Sequence, residues 1–111
     1  MNIQTEQKLN EMHAQMCGVF TSPKRLEILN LLRGGEMTVG ELAQHAGIRQ
    51  ANLSQHLGIL RERGIVKTRR EGVKIYYSLL NPKILKAFDI IREMLLERLA
   101  RTEKFSKDAR K

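Results

Sequence analysis

Cysteine is almost absent: Cys17 is the only one in 111 residues. No intrachain disulfide can form, which excludes a disulfide-stapled scaffold and points to a reducing, intracellular setting. No run reaches the roughly eighteen apolar residues of a membrane helix. The start, Met1-Asn2-Ile3-Gln4-Thr5-Glu6, lacks the charged-then-apolar layout of a secretory leader. A soluble, cytoplasmic protein without a membrane partner is the expectation. There is no Gly-rich phosphate loop and no metal-ligand cluster. Ser54 has no base nearby except His56, which points elsewhere on the same helix. Neither an enzyme nor a cofactor is expected. Repeats, low-complexity segments and linkers are missing too, so 1–111 reads as one domain.

Acidic residues are also short: 12 against 20 basic ones, for a net charge of +8. The balance is −1 over residues 1–21, +5 over 22–81 and +4 over 82–111. The excess lies in the middle and the tail rather than in one basic arm. It suits a polyanionic partner, although a basic surface can also serve solubility.

What is present is mostly helical patterning. Leu9, Met12, Met16 and Val19 recur at spacings of three and four, predicting a first amphipathic helix over about 5–21. Cys17 lies in it, either as a small apolar filler or as a redox-active thiol. Ser22-Pro23 starts a second helix, with Ser22 as N-cap and Pro23 in its first turn. Leu26, Ile28, Leu29, Leu31 and Leu32 bury it, and Gly34-Gly35 ends it. Thr38-Val39-Gly40-Glu41 is a capping box with Met37 and Leu42 in staple positions. The short third helix it opens closes at Gly47, which suits a left-handed residue.

A fourth helix follows at once from Gln50. Leu53, Leu57 and Leu60 share one arc and must face a core. Ala51 and Gln55 point the other way, with Asn52 and Ser54 on the flanks. Small residues and amides on an outward face suit insertion into the DNA major groove; an ordinary solvated face is the alternative. Two helices joined by a short Gly-containing turn form a helix-turn-helix. Cations sit at two helix starts where they oppose the helix dipole, Lys24/Arg25 and Arg49. A bound phosphate at both ends would reverse that cost.

Beyond Gly64, residues 65–68 read as a strand, Arg69-Arg70-Glu71-Gly72 as a charged turn, and Ile75, Tyr77 and Leu79 as the returning strand. Arg69, Arg70 and Lys74 then mark the tip of a wing placed to reach the DNA backbone, unless they simply form a solvated turn. Asn81-Pro82 starts a last helix, residues 82–101, followed by a basic tail over 102–111 that frays. Ile84, Leu85, Phe88, Ile91, Leu95 and Leu99 trace one face of that helix, widened by Ala87, Ile90, Met94 and Leu96. A stripe so wide calls for a second copy of the chain. The fold class is therefore mainly α with a small β-hairpin wing (α+β): a winged helix-turn-helix of five helices, dimerising through 1–21 and 82–101.

Residues 22–29, Val39-Gly40-Glu41-Leu42, residues 50–60, Arg61-Glu62-Arg63-Gly64-Ile65-Val66, Arg69-Arg70-Glu71-Gly72 and Ile75-Tyr76-Tyr77, in that order and spacing, resemble the ArsR family of winged-helix repressors. The fourth-helix motif is most similar to its sulfur- and redox-responsive branch. The resemblance implies a homodimeric repressor of double-stranded DNA. The first and last helices would form the interface, through Leu9, Met12, Met16, Phe88, Ile91, Leu95 and Leu99. Gln50, Ser54 and Gln55 would contact bases, with Asn52 and His56 as secondary contacts. Lys24, Arg25, Arg49, Arg69, Arg70 and Lys74 would hold phosphates. Family members commonly release DNA when a small-molecule or redox inducer binds. The chain departs from the family at the known inducer sites. Thr38 and Gly40 replace a Cys-x-Cys metal pair. Asp89 has no histidine companion on the last helix. Asn30 stands where the redox branch has its second-helix cysteine, so only Cys17 is left for redox chemistry. A non-specific architectural DNA-binding protein is the alternative function.

Overall fold

The computed structural model describes residues 2–109, with side chains over 2–103. The chain forms two compact units, Met1–Asn81 and Pro82–Lys111. The first contains helices α1 (Ile3–Cys17), α2 (Pro23–Leu31), α3 (Val39–Ala46) and α4 (Gln50–Glu62), and strands β1 (Met37–Thr38), β2 (Val66–Glu71) and β3 (Lys74–Leu79). The second is one long helix, α5 (Ile84–Ala109). This is a winged helix-turn-helix: five helices and a small antiparallel sheet.

The helix boundaries follow local chemistry. Asn2 caps α1 by accepting from the Thr5 N–H at 2.8 Å. Ser22 caps α2 with Pro23 in the first turn, where its missing N–H costs nothing. At α3 both halves of the capping box form: Thr38 Oγ1 accepts from the Glu41 N–H, and Glu41 Oε1 accepts from the Thr38 N–H. Gly47 stops α3 at φ 65°, ψ 35°, a left-handed geometry that costs an L-residue roughly 1–2 kcal/mol. That single residue makes the tight turn into α4. At the far end of α4 the Ile65 N–H donates to the Leu60 carbonyl and the Gly64 N–H to the Arg61 carbonyl. This Schellman pattern carries Ile65 off the helix and into the sheet.

The core of the first unit is Val19, Ile28, Leu29, Leu32, Leu42, Leu53, Leu57, Leu60, Ile65 and Val66, with Ala43 and Ala46, and no buried polar group accompanies them among the described residues. All three leucines expected to anchor α4 are in it. In α2 the burial is narrower than the sequence suggests: Ile28 and Leu29 are buried, whereas Leu26 and Leu31 are half-buried. None of the fifteen residues of α1 is buried.

Four boundaries differ from the sequence reading. The first helix ends at Cys17, and Gly18–Thr21 forms a turn of 3₁₀ helix that places Val19 in the core. The wing strands are longer than expected: Arg69 and Arg70 lie within β2, opposite Tyr76 and Ile75. The turn is the two residues Gly72 and Val73, with φ +61° at Gly72 alone, which is the Gly-first hairpin turn. A third strand, β1, pairs with β3 (Met37 with Tyr77, Thr38 with Tyr76), giving the order β1-β3-β2. Two-residue strands carry no period, so sequence could not show it. The last helix begins at Ile84, after a turn in which Leu85 and Lys86 donate to the carbonyls of Pro82 and Lys83. It continues to Ala109, so 102–109 is helical rather than a frayed tail; Arg110 and Lys111 lie outside the described residues. Among the described residues no helix is long and apolar enough to cross a membrane.

Candidate nucleic-acid interface

The burial of Leu53, Leu57 and Leu60 fixes the rotation of α4. Gln50, Ala51, Asn52, Ser54 and Gln55 are then all exposed, at the helix N-terminal end. Gln50 also borders α3: a Cβ on Gly40 would lie 3.9 Å from its amide nitrogen. Arg49 stands in the N-cap position, exposed and with no side-chain cap bond. The first N–H groups of α4 are thus left without a side-chain acceptor and carry the positive end of the helix dipole.

The other cations divide into two kinds. Arg70 and Lys74 are exposed on the wing with no ion pair among the described residues. Three others have work inside the fold. Lys24, expected to hold a phosphate, donates to the Ala46 carbonyl at 2.9 Å and pairs with Glu27 at 2.9 Å. It caps the C-terminal end of α3, where a cation is favourable. This corrects the view of Lys24 as a free phosphate ligand. Arg25 donates through Nε to His56 Nδ1 at 3.3 Å. His56 is therefore half-buried against α2 and not turned out with Gln55, and it too departs from its expected place among the base contacts. Burial, then the charges of Arg25 and Lys24, push its pKa below the ordinary 6.5. The imidazole is neutral when it accepts this bond.

Arg69 is the third. Its Nη2 and Nε meet both carboxylate oxygens of Glu36, at 2.7 and 3.1 Å, and its Nη1 meets Glu71 at 2.9 Å. The guanidinium also lies 4.6 Å from the Tyr76 ring centroid. So Arg69 braces the wing and is not a free cation at its tip. Tyr76 faces Arg69 across the β2–β3 ladder. Glu36 carried no signal in sequence, because it precedes the two-residue strand β1, which joins the sheet on the far side of β3. The bond from Arg69 holds the Glu36 carboxyl below its ordinary 4.5, helped by the charges of Arg69 and Lys67. A group depressed in this way stabilises the fold above 4.5 and loses that contribution as pH falls through its lowered pKa. Glu36→Gln is expected to flatten the acid side of the stability profile, as read by urea unfolding between about pH 6 and pH 3.

Apolar side chains line two helices. On α1, Leu9, Met12 and Met16 are exposed, and on α5, Ile90, Ile91, Met94, Leu95, Leu96 and Leu99 are exposed as well. Phe88 is different: it is 5% exposed, with the Arg92 guanidinium 5.0 Å from its ring centroid. It is the least exposed of the described apolar side chains on that helix. Cys17 is exposed at the end of α1. The Thr38 hydroxyl is taken up by the capping box.

The family model for bacterial regulatory proteins of the arsR family matches residues 22–68, from the α2 cap into β2. The chain is 46% identical over 78 residues to the biofilm growth-associated repressor of Xylella fastidiosa (strain Temecula1), covering 70% of this chain and 68% of that one. It is 43% identical over 75 residues to the transcriptional repressor SdpR of Bacillus subtilis (strain 168), covering 68% and 80%. Among solved structures it is similar to the homodimeric winged helix-turn-helix DNA-binding domain from Mycobacterium bovis determined by solution NMR. The TM-score is 0.79 at 27% identity, over 89% of this chain and 92% of that one. The chain belongs to the arsR family of bacterial regulatory proteins: it is a winged helix-turn-helix transcriptional regulator and not an enzyme.

Proposed function

We propose that the protein is a homodimeric, sequence-specific repressor that reads a pseudo-palindromic operator with α4. The observation that carries this reading is the exposed N-terminal face of α4. It presents Gln50, Asn52, Ser54 and Gln55 while the three leucines behind it are buried. Amides are the side chains that pair bidentately with adenine in the major groove, and Ala51 between them permits close approach. Arg49 at the helix start and Arg70 and Lys74 on the wing supply backbone contacts, which set register without reading sequence. The dimer rests on α1, which buries none of its fifteen residues, and on the exposed apolar face of α5. In water such faces are covered, most simply by the same faces of a second copy. Two relatives are named as repressors and the similar NMR structure is homodimeric, which supports both parts of the reading. A protein that acts on the chromosome works in the cytoplasm of a bacterium.

The test is selection of genomic fragments bound by the purified protein, followed by footprinting. The expected product is a pseudo-palindrome whose half-sites lie about 10 base pairs, or a multiple of that, apart. Protection of random DNA as strong as that of any selected fragment would replace this reading with an architectural one.

A further inference from the structure

Lys24 and Arg25 are neighbours in the first turn of α2, yet they reach two different helices. Lys24 ends on the Ala46 carbonyl of α3, and Arg25 ends on His56 of α4. The Arg25–His56 bond is the one that touches the reading helix. His56 follows Gln55 and sits between the exposed amide face and the buried leucines. A guanidinium has five N–H donors in a rigid fork. One of them, on Nε, is used here, and the others have no acceptor among the described residues. A free arginine at this place would sample many rotamers, and ordering it on DNA would cost affinity. Here the ordering is done before DNA arrives.

We propose that His56 is a positioning residue: its imidazole, as an acceptor, holds Arg25 beside α4 so that the two terminal nitrogens take a DNA phosphate, and His56 itself reads no base. This rests on the reading of α4 as the DNA-reading helix. The bond needs Nδ1 without a proton. The charges acting on His56 are both cations of α2, Arg25 and Lys24. One turn away on its own helix stand Asn52, Leu53, Ile59 and Leu60, which carry no charge. Nothing there favours the imidazolium. Acid that protonates Nδ1 would set a donor against a donor and release Arg25.

The test is fluorescence anisotropy of the full-length protein on its selected fragment and on random duplex, across a salt series. His56→Ala and Arg25→Ala are each expected to weaken both duplexes by the same factor. Each should lower the salt slope by about 0.9 per lost phosphate contact, hence by about two for a dimer. The double variant should be no worse than Arg25→Ala alone. His56→Asn keeps an acceptor near the place of Nδ1 and does not titrate. It should bind like the wild type at about pH 7.5 and should lack the fall in affinity that the wild type shows as pH drops below 6.5 and through the lowered pKa of His56. Loss of operator affinity alone with an unchanged slope would make His56 a base reader and overturn the proposal. So would parallel pH profiles of the wild type and His56→Asn, or an unaffected His56→Ala. If the wild type itself does not prefer the selected fragment, it is the reading of α4 that fails, whatever the variants do.

Discussion

Replacing both Leu95 and Leu99 by Glu is expected to turn the protein into a monomer and to abolish operator binding at working concentrations. Both side chains are more than half exposed, so the charges disturb no core of the protomer. They would lie in the face that the second copy covers, where four carboxylates per dimer would have to be desolvated together. The loss of affinity follows from linkage of two half-sites. Joining two binding modules raises apparent affinity about 10²–10⁴-fold without any new contact, and a monomer forfeits that factor. Sedimentation velocity reads the mass, and anisotropy on the operator reads the affinity. In the wild type the melting temperature should rise with protein concentration, as it must for a dimer; in the variant it should not. A variant that still sediments as a dimer would remove α5 from the interface and leave α1 as the remaining face.

Gln55→Ala carries the second large effect. Gln55 is exposed, opposite the buried arc of α4, and its amide can give the paired donor and acceptor that adenine requires. Removing one good bidentate contact costs about 1–3 kcal/mol of discrimination. Two half-sites double the cost, so the operator is expected to bind about thirtyfold more weakly or worse. Random DNA should bind almost as before. Arg70→Ala is the contrast. Arg70 faces solvent on β2 without an ion pair among the described residues, so its loss should weaken all duplexes alike and reduce the salt slope by about 0.9 for each phosphate contact removed. The pair of results separates reading from holding. If Gln55→Ala weakens random DNA as much as operator, α4 is not reading base edges at that position.

These expectations differ in where they could be read. Gln55 was legible from sequence because a helix has a fixed angular period, and three leucines on one arc determine which residues point away. The caps were legible for a similar reason. Ser22, Thr38 with Glu41, and Gly47 act on backbone groups within four residues of themselves, so their chemistry is complete in the local sequence. The wide apolar face of α5 and the stripe of α1 were visible as well. The structure changed that picture at Phe88, which is buried while its neighbours on the stripe are not.

Local periodicity and capping chemistry are therefore enough to give the set of helices, the turn between α3 and α4, the presence of a hairpin and the outward amide face. Which cations are already engaged within the protein emerges only from the folded chain. Lys24, Arg25 and Arg69 looked alike in sequence: exposed-type residues at helix starts or in a charged turn. Their partners lie 22, 31 and 33 residues away, at Ala46, His56 and Glu36. A long, flexible side chain takes whatever acceptor the folded chain brings within reach, and no periodicity encodes that choice. Lys24 became a helix cap and Arg69 a wing brace. Arg25 became the partner of His56 on α4. The charge that faces DNA is therefore smaller than the net charge suggests, and it is set by the fold that brings those distant acceptors into reach.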